Sequence, residues 1–169
     1  LFKTFLSKKG NKKNAVLFTS GYDSNFKFNF EKDFFYDLNS KISQEIIYFI
    51  EPRYYKKNFP KNVRKAVYSN TMYQSLLCTI GRPGTSTVLD CINSKVKFFC
   101  MFETNNPEMS FNAKVIKKLG LGETITKPNQ LKNKILNYIN SINCQKIFYK
   151  NISKIKLNDV HQLVEKIKN

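Results

Sequence analysis

The chain has no tryptophan, a single histidine, six glycines among 169 residues, and four cysteines with no C-x-x-C pair. Each shortage excludes a class of chemistry. Cys78, Cys91 and Cys100 stand in apolar surroundings and Cys144 lies near a predicted strand. Neither a disulfide framework nor a zinc site is expected from that spacing, whereas buried free thiols in a reducing cytoplasm are. The lone His161 falls in a predicted helix near the C-terminus, far in sequence from the strand-end loops and without a plausible nucleophile partner, so serine-histidine and cysteine-histidine catalysis have no support. No D-x-D pair is available to hold a divalent metal. No apolar run approaches the roughly 20 residues that cross a bilayer, and Leu1 to Leu6 is too short for a signal core. Repeats and low-complexity blocks are absent.

Acidic residues are also scarce: 12 Asp and Glu against 29 Lys and Arg give a net charge of +17. Such a balance raises nucleic acid or an anionic membrane surface as a partner. A nucleic-acid-binding module would use Tyr54, Tyr55 and Phe59, interleaved with Arg53, Lys56 and Lys57. Against it, no RNA-binding signature is present, and the lysines are scattered among abundant Asn, Ile, Phe and Tyr, as A/T-rich coding would produce. The densest run, Lys8, Lys9, Lys12 and Lys13, lies in Ser7 to Asn14 and reads as a solvated linker. Residues 1–14 are accordingly expected to be a linker or interdomain segment, and residues 15–169 one domain with an ordinary core.

What is present is an alternation of strands and helices. Ala15 to Ser20, Glu45 to Ile50, Lys65 to Tyr68, Leu76 to Ile80 and Val96 to Phe102 are the predicted strands. Helices are predicted over Glu31 to Ser43, Asn70 to Leu76, Thr85 to Asn93, Glu108 to Leu119, Asn129 to Ile142 and Asn158 to Ile167, with an extended piece around Lys146 to Tyr149. Continuous rather than alternating apolar strands argue for an open parallel α/β sheet, Rossmann-like, with helices on both faces. Ligands of such sheets lie beyond the carboxyl ends of the strands. Three loops there carry useful chemistry: Thr19-Ser20-Gly21, Gly81 to Thr87, and Glu103 to Glu108.

The second loop is the richest. Gly81-Arg82-Pro83-Gly84 turns the chain after an apolar strand, and Thr85, Ser86 and Thr87 open the next helix, where unpaired N–H groups and the helix dipole favour a phosphate. The glycines could instead serve a tight turn, Arg82 could equally pair with a structural carboxylate, and Asp90 could answer the helix dipole. Glu108 and Asn112 share a helix face. Phe102 is either a wall of a base pocket or core.

Arg82-Pro83-Gly84-Thr85-Ser86-Thr87-Val88-Leu89-Asp90, an apolar strand, and then Glu108-Met109-Ser110-Phe111-Asn112-Ala113 resemble the donor-binding C-terminal domain of GT-B glycosyltransferases. The likeness is to the family of the bacterial lipid II N-acetylglucosaminyltransferase, glycosyltransferase family 28. It covers about residues 15–125 in order of elements and is specific over 80–122. It implies a UDP-sugar donor, with the diphosphate on Ser20, Gly21, Arg82, Gly84, Thr85, Ser86 and Thr87, the ribose on Asp90, and the sugar on Glu108 and Asn112. It implies transfer without metal or other cofactor at the cytoplasmic face of a membrane, in cell-envelope or surface polysaccharide synthesis, with possible peripheral membrane contact. The family's ribose-binding glutamate is here the shorter Asp90, and its paired glutamines are Glu108 and Met109. A chain of this length beginning at Leu1 leaves no room for an acceptor-binding half. It is expected to be the C-terminal domain of a longer enzyme, or a half that pairs with a partner chain, binding donor without turning over alone. A UDP-sugar hydrolase or epimerase of the same fold is the alternative.

Overall fold

The computed structural model describes residues 13–19, 30–102 and 105–155. Six parallel strands form one sheet in the order β3-β2-β1-β4-β5-β6. They are β1 (Ala15–Phe18), β2 (Ile47–Ile50), β3 (Val63–Lys65), β4 (Leu76–Gly81), β5 (Lys97–Cys100) and β6 (Gly122–Thr124). The helices are α1 (Lys32–Ser40), α2 (Asn70–Ser75), α3 (Thr85–Asn93), α4 (Pro107–Lys118), α5 (Pro128–Asn140) and α6 (Ile142–Ile152), with one 3-10 turn at Pro52–Tyr54. This is the expected Rossmann-like α/β architecture.

The two central strands explain why it forms. Every residue of β1 and β4 is buried, so each presents apolar side chains to both faces and requires cover on both. Phe18 of β1 anchors one aromatic cluster. Phe30, Phe34 and Phe35 lie 4.7, 6.0 and 5.7 Å from its ring, and Phe35 lies 5.2 Å from Phe59. Phe99 of β5 anchors another, through Tyr138 at 6.2 Å to Phe148 at 6.1 Å, which ties α5 and α6 to the sheet. Each buried large side chain contributes about 1.5–3 kcal/mol, and each edge-to-face pair about 0.5–1.5 kcal/mol more.

Three of the helix starts follow short polar caps. Ser69 Oγ accepts from Met72 N at 3.2 Å, Asn106 Oδ1 from Met109 N at 3.1 Å, and Ser141 Oγ from Cys144 N at 3.2 Å. Pro107 stands in the first position of α4. That helix ends at Gly120, whose φ of 68° is the left-handed value glycine adopts without cost. Gly122 in β6 is required for a different reason: a Cβ there would sit 1.8 Å from the Phe98 carbonyl oxygen.

Several expectations change. The third strand lies at Val63–Lys65 rather than Lys65 to Tyr68. The piece around Lys146 to Tyr149 is helical, within α6, where Phe148 and Ile152 fall on one buried face. Lys13 is not part of a solvated linker: its ammonium donates to the Ser94 carbonyl at 2.7 Å and the Lys95 carbonyl at 2.9 Å, just past the end of α3. Burial pushes that ammonium down to about 8, against the two carbonyls that favour its charged form. The aromatic surface proposed for nucleic acid is largely packed away, with Phe59 buried and Tyr55 against it at 5.9 Å. Cys78, Cys91 and Cys100 are buried free thiols and Cys144 is exposed. Among the described residues no helix is long and apolar enough to cross a membrane. Ser20, Gly21, Glu103, His161 and the helix predicted at Asn158 to Ile167 lie outside the described residues.

Candidate functional site

The chain leaves β1 toward β2 on one side of the sheet, while β4 begins the other side, so the strand order reverses between β1 and β4. Over that switch point, at the carboxyl ends of the strands, lies a cleft of about 470 Å³ lined by Thr19, Glu51, Pro52, Arg53, Tyr68, Tyr73 and Thr87. Its floor is stitched together by Thr19, whose backbone N–H and Oγ1 both donate to the Ile80 carbonyl, at 2.9 and 3.2 Å. The position is the one that an open α/β sheet offers to ligands.

Helix α3 brings the glycine-marked loop to this cleft. Gly84 is its N-cap, no side chain caps it, and Val88 N donates to the Gly84 carbonyl at 3.0 Å as the first helical bond. The backbone N–H groups of Thr85, Ser86 and Thr87 precede that bond and form the positive end of the helix. Gly84 has an ordinary φ of −66°, and a Cβ placed on it would meet nothing within 4 Å. Neither turn geometry nor packing therefore requires glycine here. Arg82 is half-buried and its Nε has no hydrogen-bond partner among the described residues.

Asp90 follows Thr87 by three positions and shares its face of α3. It is half-buried beside Tyr73 of α2, which reaches it as a hydrogen-bond donor. Burial pushes the Asp90 carboxyl above its ordinary value, and the Tyr73 hydroxyl offsets part of that rise. Burial and the Asp90 carboxyl both push the Tyr73 phenol well above its usual range, so it remains a proton donor.

The residues expected to hold a sugar sit elsewhere. Glu108 is exposed in the first turn of α4. Asn112 is 1% exposed, and its Nδ2 donates to the Pro83 carbonyl at 2.7 Å, which pins the turn that starts α3. Its Oδ1 has no partner among the described residues. Phe102 is buried in the core. Among the described residues of the loops the sequence singled out, Thr19 and Thr87 line the cleft itself.

Sequence reasoning missed Glu51, Tyr68 and Tyr73. Glu51 pairs with Arg53 through Oε1, and its side chain is 15% exposed. Its Oε2 is buried with no hydrogen-bond partner among the described residues. The Arg53 guanidinium lies 5.1 Å from the centre of the Tyr54 ring. The signal that could have found Glu51 is its place directly after β2, at the strand end where loops face ligands. Among the described residues no group of three or more His, Cys, Asp or Glu is placed to hold a metal ion.

No protein-family model matches the sequence, and no curated protein matches it. Solved structures do match. Acinetobacter baumannii MurG superposes with a TM-score of 0.59 at 13% identity, over 95% of this chain and 51% of its own. Glycosyltransferase VinC in complex with DTDP gives 0.59 at 14% identity, over 95% and 43%. The glycosyltransferase SnogD from Streptomyces nogalater gives 0.54 at 13%, over 90% and 42%. The chain spans about half the length of the structures it matches. Six parallel strands covered by helices, matched to about half of each of these enzymes, give this chain the Rossmann-like fold of one half of a GT-B glycosyltransferase.

Proposed function

We propose that this chain is the donor-binding half of a glycosyltransferase and takes a nucleoside diphosphate sugar, UDP-linked on the resemblance of residues 80–122, in the cleft over β1 and β4. The observation that carries the reading is the uncapped N-terminus of α3 opening at the switch point, behind a glycine that neither backbone geometry nor packing requires. Two structures of the same fold are complexes with DTDP or thymidine diphosphate, which supports a nucleotide ligand of this type.

In this reading the diphosphate accepts from the N–H groups of Thr85, Ser86 and Thr87 and from their hydroxyls, with Arg82 adding charge and Gly84 allowing close approach. The Ser20-Gly21 turn is proposed to meet the same phosphates. Charged hydrogen bonds of this kind contribute about 1.5–3 kcal/mol each. The Asp90 carboxylate, with the Tyr73 hydroxyl on one side, accepts from ribose hydroxyls, Glu108 is the proposed sugar contact, and Asn112, which the sequence offered for the same role, is proposed to act by holding the Pro83 turn. The reaction is displacement at the anomeric carbon: an acceptor oxygen forms the new bond, the bond to the diphosphate oxygen breaks, and the nucleoside diphosphate leaves. The helix-terminal N–H groups stabilise the charge that develops on that leaving group without a metal ion. A base on the acceptor-binding half removes the acceptor proton, so the chain alone binds donor and does not turn it over. The acceptor-binding half, on the same or a partner chain, completes the site, and its acceptor belongs to the cell envelope at the cytoplasmic membrane face.

Isothermal titration with UDP, UDP-N-acetylglucosamine and ADP tests the proposal. UDP-selective binding that is lost in folded Asp90→Ala supports it. Absence of binding to all three, or equal binding by the variant, rejects it.

A further inference from the structure

The cleft is chemically polarised. At one end stand the N–H groups and hydroxyls of the first turn of α3, represented on the cleft wall by Thr87. Across β1, at the end of β2, stands Glu51, also on the wall. An anionic ligand seated on α3 is repelled by a carboxylate, so whatever meets Glu51 must be a part of the ligand that donates hydrogen bonds. Glu51 has capacity for this. Arg53 engages only Oε1, while Oε2 is shielded from solvent without a donor. A buried carboxylate oxygen left in that condition is costly, by an amount comparable to a lost charged hydrogen bond. The terminal carboxylate torsion is broad and soft, so Oε2 can be turned to a ligand at little cost. Tyr68 borders the same region of the wall and supplies an aromatic surface.

Building on the donor-site reading above, we propose that Glu51 is a specificity-determining residue that reads the nucleobase, its Oε2 accepting the imide N–H of a uracil or thymine ring. A phosphate end held by α3 and an imide end held by Glu51 match the two poles of a pyrimidine nucleoside diphosphate. The sugar-phosphate part crosses the cleft between them, past Asp90 and Tyr73. Cytosine, whose ring nitrogen at the same position is an acceptor, faces the carboxylate with like polarity and is excluded.

A double-mutant cycle with ligands tests this. The chain and its Glu51→Ala and Glu51→Gln variants are titrated with UDP, with the N3-methyl analogue of UDP that lacks the imide proton, and with inorganic pyrophosphate. For the unmodified chain, methylation is expected to weaken UDP binding by about tenfold or more, the range of one charged hydrogen bond. Glu51→Ala is expected to lose the same factor for UDP and nothing further for the methylated analogue, and Glu51→Gln to recover part of it through its amide oxygen. Pyrophosphate binding is expected to be kept in both variants. The proposal is overturned if Glu51→Ala weakens UDP and its methylated analogue equally, or leaves UDP unaffected. Pyrophosphate bound as tightly as UDP by the unmodified chain overturns base reading while leaving the anion site intact. Failure to bind UDP and pyrophosphate alike overturns the donor-site reading and Glu51's role with it. Circular dichroism of both variants separates loss of binding from loss of fold.

Discussion

Asn112→Asp changes one atom type in a side chain that is 1% exposed, and its consequence follows from one hydrogen bond. In the native chain Nδ2 donates to the Pro83 carbonyl at 2.7 Å. A carboxylate has no proton to offer, so the substitution sets two acceptors against each other in a buried place. Loss of a buried hydrogen bond with one partner stranded costs about 1–3 kcal/mol, and a buried charge left without a partner raises this to about 3–5 kcal/mol. The carboxyl escapes part of that cost by taking up a proton, after which it can donate to Pro83. Its value in the folded chain then lies above the unfolded value of about 3.9. Between the two values the folded state binds the extra proton, so stability of the variant falls as pH rises. Urea unfolding at about pH 5 and about pH 7.5 is therefore expected to show a deficit that is larger at the higher pH. Asn112→Ala, which strands the carbonyl without adding charge, is expected to lose about 1–3 kcal/mol at both. Because Pro83 begins the turn into α3, both variants should also weaken UDP binding. Native-like stability of Asn112→Asp at neutral pH would refute the anchoring role. A loss confined to the UDP-sugar, with UDP and stability untouched, would instead make Asn112 a direct sugar contact.

Four further outcomes follow. Gly84→Ala is expected to leave thermal stability unchanged or raised by up to about 1 kcal/mol, because φ is ordinary and the space is open. It should weaken UDP by about tenfold in calorimetry if the glycine admits the phosphate. Gly122→Ala should cost at least ~3 kcal/mol in urea unfolding, since a Cβ 1.8 Å from the Phe98 carbonyl can be relieved only by moving β6. Gly120→Ala should cost about 1–2 kcal/mol for its left-handed backbone, with the Asn151 amide, 2.8 Å from the new Cβ, turning aside. Burial raises the Glu123 carboxyl, but Lys134 and Lys97 outweigh it and hold it below its ordinary value. The folded state then binds fewer protons, so this contribution is present above the unfolded value of about 4.3 and is lost as pH falls through the folded one. Acid unfolding of Glu123→Gln should show a shallower loss over that interval.

The centre of the sheet was legible because burial leaves little choice of composition. The continuous apolar run of β4 ends where Gly81 ends it, Thr85–Asn93 begins and finishes as the sequence predicts, and Gly120 closes α4 as a left-handed glycine should. The edges were not. In β3 only Val63 is buried while Arg64 and Lys65 are exposed, and β6 has no fully buried residue, so neither carries a hydrophobic pattern. Ile147-Phe148-Tyr149 has the composition of a strand, yet burial of Phe148 and Ile152 four residues apart selects a helix. For the site, a hydroxyl-rich helix start after a glycine is visible in a sequence because the chemistry is local. Glu51 and Tyr73 were not visible, because each comes from a separate element and becomes part of the cleft only when β2 and α2 are placed around β1 and α3.

The central claim is that a nucleoside diphosphate sits on the first turn of α3, and amide chemical-shift mapping tests it most directly. Titrating UDP into the isotopically labelled chain should move the amide signals of Thr85, Ser86, Thr87 and Thr19 along one saturable curve, and ADP should move them less. Saturable shifts that avoid α3, or no shifts at all at saturating UDP, would contradict the account.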